Sequence, residues 1–421
     1  MQINASFKGF PGHHEPVDLA HIGDQNWHLL KGHLPFPLAV IKASAIAHNL
    51  KWMQDFCNSR KLDIAPHGKT TMSPELYKMQ IDAGAWGISF ATVFQAGLGI
   101  RNHVKRIIIA NQVFQASDLD ALSHLLETHS DVRVFFLVDS LAQLKQIETW
   151  RASSSSQQAF SVLIELGIDG KRTGCRDHET AMQLAREIKA TQGLLLAGIE
   201  CYEGALATCH HEHDQAAVAA LMQRVQNLAL ACEKEDLFQC AEVLITAGGS
   251  AIFDLVAAHL QPQLSRPARG ILRSGCYLTH DHVEYRKMLR CVGERLKLAE
   301  TLKPALEVIS SVQSCPEPGL ALLSMGKRDV SYDIDLPVPI WQAAIGDAGV
   351  RSVPAHWEIK ALNDQHAYLH FNPQSPASEH PYVGQIIGSG ISHPCTTFDK
   401  WRWMPIVNDD YVVTSGISIH F

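Results

Sequence analysis

Apolar positions follow two periods along the first two thirds of the chain. Short runs rich in β-branched residues come at regular intervals: "DIAPH" (63–67), "WGISFAT" (86–92), "RIIIAN" (106–111), "VRVFFLV" (132–138), "FSVLIEL" (160–166), "LLLAGIECY" (194–202), "EVLITAGG" (242–249) and "RGILRSG" (269–275). These predict eight strands. Between them, "SPELYKMQIDAGA", "VFQAGLGIRNH", "LAQLKQIETWR" and "ETAMQLAREIKATQG" repeat their apolar positions every three to four residues, as amphipathic helices do. Strand–helix units of this number over about 220 residues fit a (β/α)8 barrel, for which about 250 residues is typical. An open doubly wound sheet is the alternative.

After residue 283 the pattern changes. "LALLSMGKRDVSYDI", "HWEIKALNDQHAYLHF", "YVGQIIGSGISHPCTTF" and "YVVTSGISIHF" read as strands separated by turn residues. The expected organisation is therefore an α/β barrel over residues 43–282 and a mostly β domain over 283–421, joined by residues 1–42. The early strand in "PFPLAVI" is assigned to the β domain. The helix "SAIAHNLKWMQDFCNSR" follows it, with Ser44 as its expected N-cap. The one low-complexity patch, "SSSSQQ" (153–158), reads as a surface loop.

Composition narrows the function classes. The chain has 421 residues, 46% hydrophobic and 19% charged, which is ordinary for a globular protein with a sizeable core. Its net charge of −7 and lack of a basic stripe argue against a nucleic acid or an anionic membrane as partner. The first sixteen residues contain no apolar signal core, and no apolar run is long enough to span a bilayer, so a cytoplasmic location is expected. Ten cysteines without regular spacing read as buried thiols or an occasional metal ligand. A small-molecule function is the starting point.

The first strand ends on "PHGKT", which places Lys69 at the carboxyl end of a barrel strand, where catalytic groups of this architecture lie. A solvated loop lysine is the plain reading. Two glycine loops change it: "TAGGSA" (246–251) follows the seventh strand and "RSGCY" (273–277) the eighth. Loops at those two places often bind phosphate through backbone N–H groups. A lysine opposite a phosphate cradle suits pyridoxal phosphate, which is held covalently on a lysine amine.

A second constellation is His393-Pro394-Cys395. On a strand, positions i and i+2 share a face, so an imidazole and a thiolate converge on one ion, and that pair suits zinc. Pro394 lacks an N–H and places the segment at an edge or in a loop. A buried cysteine beside a chance histidine is the alternative. "CHHEHD" (209–214) and "GHHE" (12–15) are louder clusters, read here as solvated surface with at most an adventitious metal site.

Taken in order, "PHGKT", "ELGIDGKRTG", "GIECYEG", "AGGS", "RSGCY", "GDAG", "DQHAYL" and "SHPC" resemble the fold-type III pyridoxal phosphate enzymes. The barrel resembles that of alanine racemase. The ensemble, running from about Pro37 to Ser415, is similar to the D-serine dehydratase and D-threonine aldolase family and nearest its D-serine dehydratase branch. Ala65, Thr71-Met72 and Gln365 depart from that family's usual residues.

The resemblance implies that Lys69 is the Schiff-base lysine and α-proton base. It implies that Arg172 faces the pyridine nitrogen and that Tyr202 lies by the cofactor. Gly248, Gly249, Ser250, Gly275 and Tyr277 would hold the phosphate, and His393 and Cys395 would bind Zn2+. A guanidinium gives the pyridine nitrogen no full proton, so it stabilises charge in the ring less than an acidic partner would. The implied reaction is dehydration and deamination of a D-3-hydroxy amino acid: D-serine to pyruvate and ammonia, or D-threonine to 2-oxobutanoate and ammonia. Retro-aldol cleavage by a D-threonine aldolase-type enzyme is the rival, with Cys395 favouring dehydration, since the aldolase branch has aspartate there. A non-catalytic pyridoxal phosphate-binding protein is the reading from another class. The family also implies a homodimer.

Overall fold

A computed structural model describes every residue from Met1 to Phe421. By internal packing the chain forms two units. One comprises 53–69 and 77–275, the other 1–52, 70–76 and 276–421. The barrel unit is narrower than the 43–282 expected from the hydrophobic pattern: residues 43–52, 70–76 and 276–282 fall in the β-rich unit together with 1–42 and 283–421.

In the first unit each of the eight apolar runs forms a strand: Asp63–Ile64, Ile88–Phe90, Arg106–Gln112, Arg133–Val138, Phe160–Leu166, Leu194–Cys201, Val243–Ala247 and Ala268–Leu272. All their pairings are parallel, and from the second strand onward each strand pairs with the next in sequence. The eighth returns to the first, aligning Leu272 with Ile64. The ring closes where His67 bridges Ser89 and the Trp86 amide donates to the Ile64 carbonyl. A closed parallel barrel buries both faces of its sheet, which is why these strands read as continuous apolar runs. Ala65, Ile108, Leu137, Leu163, Ala197, Leu244 and Ile271 pack together in the core. Fully burying each large aliphatic side chain contributes about 1.5–3 kcal/mol. At Gly198 any side chain would strike the Leu244 carbonyl of the adjacent strand, so the glycine permits that approach.

The helices between the strands start on local caps. Thr92, Ser140 and Asp177 each accept a backbone N–H in the first turn of the helix that follows. Ser44 does not act this way. It lies inside the helix Ala43–Ser59, and its hydroxyl donates to Asp409 instead (2.7 Å).

The second unit is built on a mostly antiparallel sheet around the long strand Leu306–Glu317. That strand pairs with Ile386–Gly390 on one side and with Leu38–Lys42 on the other, so the early "PFPLAVI" strand belongs to this sheet. One helix interrupts the expected β pattern. Glu284–Leu296 is a full helix in which Leu289 and Val292 are buried; its apolar positions Tyr285, Met288, Leu289, Val292 and Leu296 recur every three to four residues, a helical period lying inside the stretch assigned to strands. No helix in the chain is long and apolar enough to cross a membrane.

Candidate active site

Lys69 sits on a single 3-10 turn, Gly68–Thr70, just beyond the carboxyl end of the first barrel strand, with its side chain exposed. Gly68 explains the local sequence. A Cβ there would come within 3 Å of Ile88, Phe90 and Tyr77, and the Tyr77 hydroxyl donates to the Gly68 carbonyl (3.1 Å). The preceding His67 has its Nδ1 shut off from solvent without a partner. Burial holds this imidazole well below its ordinary pKa, and the charges of Lys69, Arg273 and Arg172 push it further down, so His67 is neutral.

The two arginines differ. Arg172, expected at the pyridine nitrogen, is exposed on the loop after the fifth strand, and its guanidinium lies 4.7 Å from the Tyr202 ring centroid. Arg273 is 4% exposed, ion-paired to Glu200 and 3.2 Å from the Cys201 carbonyl, yet its Nε and Nη1 have no partner. An unmade hydrogen bond at a buried donor costs about 1–3 kcal/mol, and more when the group is charged. Glu200 also leaves Oε2 unpartnered, and burial raises its pKa to about 7 against the pull of Arg273. In the sequence Arg273 opens the "RSGCY" loop after the eighth strand. Its signal there was an arginine directly after an apolar strand.

The glycine loops have an unexpected occupant. The amides of Gly248 and Gly249 donate to the buried carboxylate of Glu203 (2.9 and 2.6 Å). Gly248 adopts φ +110°, a conformation that turns its N–H inward and that other residues rarely take. These two amides therefore meet a carboxyl group supplied by the chain, whose pKa burial raises above the ordinary carboxylate value. Gly249 is also 3.2 Å, at its Cβ position, from the Tyr202 ring, and its carbonyl accepts from Ser274 (2.8 Å). That bond ties the loop bearing Ser250 to the loop bearing Gly275. Tyr277 is buried.

Lys69 with Tyr202 and the unpartnered donors of Arg273 fits a planar, anionic aldehyde such as pyridoxal phosphate. The amine supplies the covalent anchor, the ring a stacking face, and the guanidinium an uncommitted hydrogen-bonding edge.

In the β-rich unit, His393 and Cys395 do not lie on a strand. His393 is the N-cap of the short helix Pro394–Phe398, with Pro394 at its first position. Proline suits that position because its missing N–H would be unbonded there anyway. The two side chains still meet. Burial pulls the His393 imidazole down, but the Cys395 sulfur and then Asp333 outweigh it and hold the pKa up at about 9. His393 Nδ1 lies 2.6 Å from Asp333 Oδ2, and Asp333 Oδ1 accepts from Thr396 (2.6 Å). In the neutral ring a carboxylate on Nδ1 keeps the proton there and leaves Nε2 as the ligating nitrogen, the usual support of a metal-binding histidine. Thr70 Oγ1 is 3.6 Å from Cys395 Sγ, and Cys276 Sγ is 3.9 Å from it. This donor set, one nitrogen and one sulfur with a carboxylate behind, fits a soft divalent ion with open positions.

No group of three or more His, Cys, Asp or Glu side chains is gathered for a metal anywhere in the chain. The 209–214 cluster is the start of a helix, where Asp214 accepts from the Thr208 and Cys209 amides (3.1 Å each). Asp347 accepts from the Ala344 amide in a turn (2.8 Å).

Comparisons with known proteins agree with this architecture. The family profile described as "Alanine racemase, N-terminal domain" matches residues 41–278, more than half of the chain, and one described as "Putative serine dehydratase domain" matches 305–407. A D-threonine aldolase of Arthrobacter sp is 23% identical over 376 residues, 89% of this chain and 90% of that protein. The D-threo-3-hydroxyaspartate dehydratase of Delftia sp. (strain HT23) is 27% identical over 275 residues, 63% of this chain and 66% of that one. A variant of that dehydratase with a cysteine replaced by alanine, described as metal-free, superposes with a TM-score of 0.72 at 20% identity, covering 94% of this chain and 100% of its own. The crystal structure of D-threonine aldolase from Filomicrobium marinum gives a TM-score of 0.77 at 21% identity, with 93% and 96% covered. These relatives are a D-threonine aldolase and a hydroxyaspartate dehydratase, a broader set than the D-serine dehydratase branch read from the motifs. The chain thus belongs to the alanine racemase N-terminal domain family of fold-type III barrels, with a serine dehydratase-like domain following the barrel.

Proposed function

We propose that this protein is a pyridoxal phosphate- and zinc-dependent lyase that dehydrates and deaminates a D-3-hydroxy amino acid. The observation that carries the reading is the placement of Thr70. It is joined by a peptide bond to Lys69, and its hydroxyl lies 3.6 Å from the Cys395 sulfur.

When bound, pyridoxal phosphate supplies an electron sink for charge developing at the substrate Cα, and a zinc ion supplies Lewis acidity toward a hydroxyl. The remaining roles fall to side chains. Lys69 anchors the cofactor, and its freed amine removes the Cα proton. Arg273 offers Nε and Nη1 to the cofactor while Glu200 holds its Nη2. Arg172 and Tyr202 form a stacked wall. Asp333 orients His393 so that Nε2 and the Cys395 thiolate are presented together. A thiolate–imidazole pair prefers zinc to magnesium or calcium, which seek oxygen.

For D-serine the balanced outcome is pyruvate and ammonia, the water lost from Cβ being regained when the enamine hydrolyses. The names of the relatives also support aldol cleavage to glycine and an aldehyde as a second reading. In that reaction the hydroxyl loses its proton and stays on carbon. The deciding experiment incubates purified protein, loaded with both cofactors, with D-serine, D-threonine and D-threo-3-hydroxyaspartate. Formation of a 2-oxo acid with ammonia supports dehydration. Glycine with an aldehyde replaces it by the aldolase reading, and neither product from any substrate overturns both.

A further inference from the structure

Cys276 and Cys395 place two sulfurs 3.9 Å apart, with the Thr70 hydroxyl 3.9 Å from the first and 3.6 Å from the second. Cys276 is 6% exposed, whereas Cys395 is partly open to solvent. The other interior cysteines have different neighbours: Cys201 and Cys232 lie against the sulfurs of Met222 and Met182 (3.7 and 4.0 Å), and Cys175 donates to the Asp139 carbonyl (3.2 Å). One thiol reachable by a small oxidant, backed at contact distance by a second that solvent barely touches, is the arrangement of an attacked and a resolving cysteine.

We propose that Cys276 and Cys395 form a reversible disulfide, and that this modification withdraws Cys395 from the metal. The covalent change is small. The two sulfurs must approach from 3.9 Å to a bond length of about 2.05 Å. With a peroxide as oxidant the atoms balance. Cys395 sulfur attacks one peroxide oxygen and breaks the O–O bond, giving a sulfenic acid and one water. Cys276 sulfur then displaces the sulfenic oxygen, forming S–S and releasing a second water. Two thiols are oxidised, one peroxide is reduced to two waters, and a dithiol reductant reverses the reaction. The dithiol itself stands on the sulfur geometry, and its competition with metal rests on the assignment of His393 and Cys395 as ligands. A bound ion engages the sulfur lone pair and so slows attack on peroxide.

The test treats the full-length protein with hydrogen peroxide, once as the zinc-loaded form and once after chelation. In the chelated protein two thiols should be lost, the intact mass should fall by about 2 Da, and a digest should contain the peptide linked Cys276 to Cys395. Dithiothreitol should restore both thiols. Zinc loading should slow the loss by about tenfold or more. In Cys276→Ser the linked peptide should vanish, and Cys395 should instead be trapped as a sulfenic acid by dimedone. Both cysteines remaining alkylatable in chelated, peroxide-treated protein overturns the disulfide. A disulfide that forms equally fast with and without zinc leaves the dithiol standing and overturns the metal assignment of Cys395.

Discussion

His393 Nδ1 and Asp333 Oδ2 are 2.6 Å apart, and Asp333 is itself held by the Thr396 hydroxyl. The pair sets which imidazole nitrogen is left to bind an ion. Asp333→Ala should therefore weaken zinc affinity by about 10–100-fold while leaving pyridoxal phosphate content unchanged. Competition against a fluorescent chelator gives the first quantity and cofactor absorbance the second. Equal zinc affinity in the variant would separate Asp333 from the metal.

Removing the ion and removing its thiolate should have the same effect. Chelation or Cys395→Ala should stop 2-oxo acid formation from D-serine, with the visible cofactor band retained. Readdition of zinc should rescue the chelated protein only. Lys69→Ala should do the reverse, losing the covalent cofactor band and turnover while still binding zinc. Unchanged 2-oxo acid formation after chelation and in Cys395→Ala would refute the metal requirement.

The two arginines should respond differently. Arg172→Ala removes an exposed cation–π contact worth about 0.5–1 kcal/mol, so cofactor affinity should fall only a few-fold. Arg273→Lys keeps a charge for Glu200 but loses the guanidinium edge, and cofactor affinity should fall by about tenfold or more. Equilibrium dialysis of the cofactor measures both. A larger loss in Arg172→Ala would return the cofactor-facing role to Arg172.

Glu307 offers a pH test of stability. Glu307 lies on the strand Leu306–Glu317 with its carboxylate buried, accepting from Trp341 Nε1 (2.8 Å) and the Tyr411 hydroxyl (2.9 Å). Burial raises its pKa above the ordinary value, outweighing those two bonds and the charge of Lys42. The folded state then holds the proton more tightly than the unfolded one. Its stabilising effect is complete below the ordinary carboxylate pKa and is lost as pH rises through the raised folded value. Glu307→Gln keeps an acceptor for both donors without the charge. The stability difference, variant minus wild type in urea titrations, should grow as pH increases through that window. A difference independent of pH would show that Glu307 titrates normally.

The sequence by itself determined the eight barrel strands, because a parallel sheet buried on both faces needs uninterrupted apolar runs, and these are visible without any knowledge of neighbours. It also determined that Lys69 follows a strand end and that His393 and Cys395 are two residues apart. The helix Glu284–Leu296 has a legible apolar stripe, Tyr285, Met288, Leu289, Val292 and Leu296, but it stands alone among strand-like segments and is absorbed into the β pattern around it. The conformation at Pro394 escaped because proline suits a loop, a sheet edge and a helix start equally. Only the tertiary structure decided which arginine is buried, that Glu203 occupies the Gly248 and Gly249 amides, that Asp333 lies behind His393, and that Cys276 meets Cys395. Each of these joins residues far apart in the chain, and local periodicity reports which face of an element is apolar without specifying which distant side chain meets it.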